Sequence, residues 1–196
     1  MAIMGAVRRS VAANLNVYSR RVRSLREMLL AVPPLERDAW VNRQLGLTEL
    51  PDDGAELPRD GVPYLPASVD SILRFVELGK LGAHDVIVDV GSGVGRAAWI
   101  LRVLTGARVI GIEIQRSLVR ELDGLTFITA DAAITHPPDA SAYFLYCPFS
   151  GATLERWVDT LPRRGLIIGC VDFSLPERPW LTRDRVDRDL EIYRTR

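Results

Sequence analysis

The stretch "VIVDVGSGVGRAAW", residues 86–99, decides the fold. Val86, Ile87, Val88 and Val90 make a short run of β-branched residues, the pattern of a strand buried on both faces. Gly91, Gly93 and Gly95 then bare the backbone at alternate positions, and an Ala-rich segment begins a helix. A strand, a glycine-rich turn and a helix in succession form a nucleotide-type site at the carboxyl edge of a parallel sheet. The glycines let the chain turn tightly and let backbone N–H groups approach a ligand with no Cβ in the way. Read alone, they equally suit a tight strand-to-helix turn that holds nothing.

Outward from this turn, strands and helices alternate. "RAAWILRVLTG" is a helix stopped by glycine, "ARVIGIE" a second strand, and "LTFITAD" a third after a short turn of helix. "AYFLYCP" is a fourth strand, "GATLERWVDTL" a helix, "GLIIGCVDF" a fifth strand and "DLEIYR" a last short one. That order predicts an α/β fold, a doubly wound and mostly parallel sheet of six to seven strands with both faces covered. Upstream, Ser68 is placed to cap a helix that carries Val69, Ile72, Leu73 and Val76 on one face.

Acidic residues give the glycine turn its chemistry. Its G-x-G-x-G spacing differs from the G-x-G-x-x-G that seats a pyrophosphate on a helix N-terminus. Asp89 stands in the strand just before the turn, a poor neighbour for a diphosphate and a good one for an ammonium or sulfonium. Glu113 ends the second strand, where an acid can take both hydroxyls of a ribose. Asp131 ends the third strand in "FITADA", placed for an adenine amino group. A ribose, an adenine and a cationic amino-acid tail occur together in S-adenosylmethionine.

The segments "VIVDVGSGVGR", "VIGIEI" and "FITADA" resemble the class I S-adenosylmethionine-dependent methyltransferases across about residues 62–175. The resemblance implies a Rossmann-like methyltransferase fold. It implies that Asp89, Gly91, Gly93 and Gly95 hold the methionine end, Glu113 the ribose, and Asp131 with Ala132 the adenine, with Ser92 and Ile114 also among the cofactor-binding residues. "VPYLPASVDSIL" resembles the Y-x-P-[ST] lead-in of a narrower set, small bacterial methyltransferases and non-SET protein-lysine methyltransferases. In those the tyrosine equivalent to Tyr64 lies near the cofactor. Two departures stand out. Only about two turns of helix fit between Glu113 and "FITAD", and six strands are counted where the class has seven with an antiparallel hairpin.

The acceptor reading rests on the loop after the fourth strand, "YCPFS" (146–150). Adenine-N6 and glutamine methyltransferases carry [ND]-P-P-[YF] there, with a polar first residue for a planar amide or amino group. Cys147 precedes Pro148 here, which disfavours those substrates. The proline–aromatic step resembles the loop with which non-SET lysine methyltransferases wall a lysine channel. Tyr146 and Phe149 are the candidate wall, contacting a cation through their ring faces, and Asp172 at the end of "CVDF" is the candidate acid on the same rim. The plain alternative makes Phe149 a helix-entry aromatic and Tyr146 a core residue. His136, before Pro137, is a candidate base or an ordinary loop histidine.

The N-terminal part is helical in pattern. Val11, Leu15, Tyr18, Val22, Leu25, Leu29 and Val32 recur at helical spacing until Pro33-Pro34. Arginines 8, 9, 20, 21, 23 and 26 occupy its other positions. This helix is read either as a basic grip on an acidic partner or as a solvated face on a helix packed over the main domain or a second subunit, giving a possible homodimer. Residues 1–61 are expected as a helical extension and strap, with a short helix around Arg37–Leu45, and residues 62–196 as the cofactor-binding domain.

Bulk properties exclude other classes. The 196 residues are 47% apolar and 26% charged, ordinary for one globular domain with an extension. A formal net charge of zero draws the chain to neither nucleic acid nor a membrane. Lys80 is the only lysine among 25 basic residues, so the basic side is almost wholly arginine. No apolar run reaches the roughly 18 to 20 residues of a membrane span, and Arg8-Arg9 interrupts the N-terminus, so the expected address is the cytoplasm. Cys147 and Cys170 are read as reduced thiols; with only two histidines and no ligand spacing, no metal site is expected. A methyltransferase acting on an amine or hydroxyl, in a protein lysine or a small metabolite, is the function expected. The alternative is an inactive scaffold that keeps the pocket and binds a partner through its basic helix.

Overall fold

Strands β1 (Val86–Val90), β2 (Arg108–Glu113), β3 (Thr126–Thr129), β4 (Ala142–Tyr146) and β5 (Ile167–Val171) are parallel. Strands β6 (Leu181–Asp187) and β7 (Leu190–Thr195) form an antiparallel hairpin, and β7 pairs antiparallel with β5. The spatial order is β3-β2-β1-β4-β5-β7-β6. This computed structural model describes residues 22–49, 51–54, 57, 61–137 and 139–196.

Helices cover both faces. On one side lie α1 (22–31), α2 (Arg37–Leu45), α3 (Val69–Gly79) and α4 (Arg96–Thr105), whose Leu29, Val41, Phe75 and Leu101 pack on Ile87 and Phe144 of the sheet. On the other lies α5 (Gly151–Thr160), whose Trp157 and Val158 pack with Val88, Tyr143 and Ile168. Ile87 and Val88 enter opposite clusters because successive side chains of a strand leave opposite faces. Helix α3 starts as expected, with Ser68 Oγ accepting the Ser71 N–H at 3.0 Å, and Gly106 ends α4 at φ +71°.

Three expectations change. The sheet has seven strands because "LTRDRVD" forms β6. It is an edge strand with one partner and an exposed centre, so charged side chains cost it nothing and hide it from a hydrophobic reading. The turn of helix expected between β2 and β3 is absent: residues 114–125 run as turns, with Leu118 N–H donating to Gln115 O at 3.0 Å. Twelve residues must leave one strand and enter its neighbour, and Leu118, 2% exposed, anchors them without a helix. The N-terminal segment is also less of an appendage than its composition suggests, since Val41 of α2 is wholly buried.

Of the apolar stripe, residues 11–21 lie outside the described residues. Its remainder folds back on the chain's own domain, with Leu29 wholly buried and Leu25 packed beside it, while Arg23 and Arg26 are exposed. Among the described residues no helix is long and apolar enough to cross a membrane.

Candidate cofactor-binding site

Strand order reverses between β1 and β4, and the crevice at such a switch point is where open α/β sheets take ligands. The glycine turn emerges there. Gly91, Gly93 and Gly95 have φ of +70°, +52° and +80°, the left-handed region that side chains avoid. Each also sits against a neighbour. A Cβ on Gly93 would lie 2.2 Å from the Tyr64 ring, one on Gly95 2.5 Å from Phe127, and one on Gly91 2.8 Å from Pro148. Lacking side chains is therefore a condition of this backbone path and of its packing.

The acids near the ends of β1 and β2 brace the turn. Asp89 is 3% exposed and its Oδ2 accepts the Ala98 N–H at 2.9 Å. Ala98 lies in the first turn of α4, whose N–H groups lack helical partners. Gly95 occupies the cap position and brings no side-chain acceptor, so Asp89 supplies one from the strand. Burial pushes the Asp89 carboxyl up to about 7, with the Glu113 charge adding to the rise and the Ala98 bond opposing it. Glu113 is 5% exposed; its Oε2 accepts the Gly93 N–H and its Oε1 the Gln115 N–H, both at 2.8 Å.

Two adjoining hollows open around these groups. The larger is walled by Glu113, Ile114, Leu118, Asp131, Ala132 and Phe149, among others, and roofed by Leu57, Gly61, Val62 and Pro63 of the strap. The smaller, on the α4 side, is walled by Asp89, Ser92, Arg96 and Ala67. Tyr64, Leu65, Gly91 and Tyr146 border both. Asp131 stands exposed at the rim of the larger hollow; its Oδ1 accepts the Ala133 N–H at 2.8 Å and its Oδ2 has no partner among the described residues. The strap is pinned in place by Gln115, which accepts the Gly54 N–H at 2.5 Å and donates from Nε2 to Asp53 at 2.9 Å. Asp53 in turn accepts the Tyr64 N–H at 3.0 Å, and Gly61 bridges Phe149.

Two residues that wall the smaller hollow carry buried polar atoms without partners. Tyr64 Oη and Ser92 Oγ have none. Burial pushes the Tyr64 phenol up to about 12, lowered somewhat by Arg96 and raised by Asp89. An unsatisfied buried donor costs about 1–3 kcal/mol, so these atoms suit a polar ligand. With Asp89, Glu113 and Asp131 they fit an adenosyl amino acid.

The acceptor candidates divide. Tyr146 borders both hollows, and its phenol is raised by burial and then by the charge of Asp172. Asp172 is exposed, outside either wall, and held at φ +64° with its N–H donating to Asp189 O at 2.8 Å. Cys147, at the end of the neighbouring strand, is also left-handed, at φ +43°. Burial, then Asp172, raises its thiol. Phe149, 8% exposed, lines the larger hollow and packs on Trp157 at 6.3 Å. His136 lies elsewhere: its Nε2 meets Thr160 Oγ1 at 2.8 Å and its ring packs on Tyr143 and Trp157, where burial lowers its pKa. It is a packing residue. Both cysteines are free.

Sequence reasoning missed Gln115, the strap residues of the roof, and Arg96. The signal for Arg96 was its place directly after the last glycine; for Gln115 there was none beyond proximity to Glu113.

Known structures share this fold. An RNA methyltransferase from Salinibacter ruber in complex with S-adenosyl-L-homocysteine is 26% identical, over 67% of this chain and 92% of that one, with a TM-score of 0.56. TrmN from Thermus thermophilus is 14% identical over 66% of this chain and 49% of its own, at a TM-score of 0.54. The putative methyltransferase yhhF from Escherichia coli is 19% identical over 71% and 91%, at 0.50. No protein-family model and no curated protein matches the sequence. Sheet order, glycine turn and likeness together define an S-adenosylmethionine-dependent methyltransferase of class I architecture. It is an enzyme, and the Salinibacter methyltransferase it resembles is the one seen with S-adenosyl-L-homocysteine bound.

Proposed function

We propose that this enzyme methylates an amine, a protein lysine ahead of a small metabolite amine, at the mouth where the two hollows meet. The observation that carries the reading is Tyr146. It borders both hollows, and its phenol is raised by burial and by the charge of the exposed Asp172 carboxylate nearby. S-adenosylmethionine supplies an electrophilic methyl group on a sulfonium. The chain's own residues then have three tasks. Asp89, Ser92 and the glycine-turn backbone hold the amino-acid end, Glu113 and Ile114 the ribose, and Asp131 and Ala132 the adenine beneath Tyr64 and the strap. Phe149 walls the adenosyl side of the mouth. Asp172 attracts the acceptor ammonium and accepts hydrogen bonds from it.

Methyl transfer is an in-line displacement that depends on positioning and on an unprotonated nucleophile. Tyr146 and Cys147, both raised by burial, keep their protons near neutrality and are not bases. The acceptor ammonium would therefore lose its proton to water alongside Asp172, leaving a free amine lone pair that could take the sulfonium's methyl group as the S–CH3 bond breaks and the neutral thioether leaves. Left-handed backbone at both Cys147 and Asp172 supports this placement, since such strain gathers where a site must aim side chains. Asp172 is open to solvent, which suits a residue presented on another protein's surface.

A second reading is an RNA acceptor, favoured by the Salinibacter likeness. Radiolabelled S-adenosylmethionine added with the enzyme to a lysate of the source cell, then split into protein, nucleic-acid and small-molecule fractions, separates these readings. Label is expected in protein, on lysine. Label confined to nucleic acid overturns the amine reading, and no incorporation together with no cofactor binding leaves the inactive scaffold.

A further inference from the structure

Gln115 is 2% exposed and lines the larger hollow two residues after Glu113. A side-chain amide carries an acceptor oxygen and two N–H donors, and a buried one needs partners for them. Here the partners come from the strap. Oε1 accepts the Gly54 N–H at 2.5 Å, and Nε2 donates to Asp53 Oδ1 at 2.9 Å. Asp53 carries the tie onward, accepting the Tyr64 N–H at 3.0 Å through the same oxygen and at 3.3 Å through Oδ2. The backbone of Gln115 faces the other way, its N–H donating to Glu113 Oε1 at 2.8 Å. One glutamine thus joins the acid read as the ribose holder to the tyrosine packed against Gly93.

Few other bonds fasten this roof. Between positions 51 and 66 none of the described residues is buried, so no apolar core holds the segment down. Among the described residues its other ties to the domain are the Val62 N–H on Pro148 O at 3.4 Å and the bridge from Gly61 to Phe149. The strap therefore crosses the larger hollow between two small sets of hydrogen bonds, one at Gln115 and one at the loop after β4. Segments held by polar bonds near solvent open locally at a small fraction of the global unfolding free energy. When these bonds part, water replaces them, so the open state leaves no amide orphaned.

Resting on the cofactor reading above, we infer that Gln115 is a clasp that retains the cofactor: its side chain holds the strap closed over the adenosyl half while its backbone N–H holds Glu113, and the ligand leaves only when the bonds from Gln115 to the strap break. Gln115 acts through the strap and Glu113, so it is a positioning residue. A ligand that fixes the Glu113 carboxylate also fixes the backbone of the clasp, and strap closure favours ligand binding by the same factor that ligand binding favours closure. The thioether product lies under the same roof, so each turnover requires the clasp to open.

The test measures association and dissociation rates of S-adenosylhomocysteine on the full chain by surface plasmon resonance, together with hydrogen exchange at the Gly54 and Tyr64 amides. In the wild type the ligand should slow exchange at both amides. Gln115→Ala should release the ligand about ten- to hundredfold faster, the scale of two lost hydrogen bonds, one of them to a carboxylate. Its association rate should change by less than about threefold, and ligand should no longer protect the two amides. Asp53→Ala alters an exposed side chain and should reproduce this without disturbing a buried position, while the double variant should be no faster than either single one. Asp53→Asn keeps an oxygen for both donors and should stay within about threefold of the wild type. Release within about twofold of the wild type in folded Gln115→Ala and Asp53→Ala overturns the inference. So does weaker binding that lies wholly in slower association, which marks a distorted site, or amide exchange in the wild type that ignores the ligand. A wild-type protein that does not bind S-adenosylhomocysteine refutes the cofactor reading itself, and the clasp with it.

Discussion

Cofactor affinity in this enzyme should weaken below neutral pH, and Asp89 is the reason. Burial holds its carboxyl at about 7, from an ordinary value of 3.8, and an ammonium placed beside it favours the ionised form. The free site must therefore give up a proton to take the ligand. The apparent dissociation constant is then multiplied by one plus ten to the power (pKa − pH), about 2-fold at pH 7 and about 11-fold at pH 6, or about 1.4 kcal/mol. Calorimetric titration with S-adenosylhomocysteine between pH 6 and pH 8 reads this slope. Methylthioadenosine, which lacks the ammonium, should bind with no slope. Asp89→Asn keeps an oxygen for the Ala98 N–H, and should abolish the slope while lowering affinity at pH 8 by about ten- to hundredfold. A flat profile for the wild type, or the same slope for methylthioadenosine, would falsify the assignment. The ligand-free protein carries the linked effect. Between 3.8 and about 7 the folded state holds a proton that the unfolded state has lost, so stability falls as pH rises through that window. Thermal denaturation of Asp89→Asn should lack that fall.

Other outcomes follow from the packing. Gly93→Ala places a Cβ 2.2 Å from the Tyr64 ring at φ +52°. It should cost about 2 kcal/mol or more in urea denaturation, from left-handed strain and overpacking, and displace Tyr64 so that S-adenosylhomocysteine no longer binds. Asp172→Gly relieves a left-handed side chain and should gain about 1 kcal/mol of stability, yet lower kcat/KM for an amine acceptor by tenfold or more; unchanged kcat/KM would remove Asp172 from the site. His136→Phe fills the same aromatic cluster with Tyr143 and Trp157 and should leave kcat unaltered across pH. Trp157→Ala empties a wholly buried position and should cost about 3–5 kcal/mol by thermal or urea melts.

How much of this was legible in advance depends on the length scale of the signal. The β1 turn was legible, because "VIVDV" and three alternate glycines each act through the backbone of their own residue. So were α2, the Ser68 cap and the stop at Gly106, all settled within a turn of helix. Strand β6 was hidden because an edge strand needs no apolar face, and "LTRDRVD" reads as a charged loop. The turn between β2 and β3 was misjudged because its conformation is set by Leu118 and Gln115 docking on distant parts of the chain. His136 showed the same limit in reverse: a loop histidine beside prolines becomes a packing residue once Tyr143 and Trp157 enclose it.

By itself the sequence determined the succession of strands β1 to β5 with helices α3 to α5, the glycine turn between β1 and α4, and the acids at successive strand ends, since each depends on local propensity or on a strand's fixed direction. Tertiary structure decided which groups share a wall. Residues 31 and 118 positions apart meet only when the sheet closes, as Asp38 with Val69 and Ser71 with Asp189 do. The strap's seat over Glu113, the two hollows joined at Tyr146, and the burial of Arg96 against α2 belong to that level. Solvent exclusion and partner geometry turn an ordinary arginine into a buried cation tied to Asp38 and Asn42, and they exist only in the folded chain.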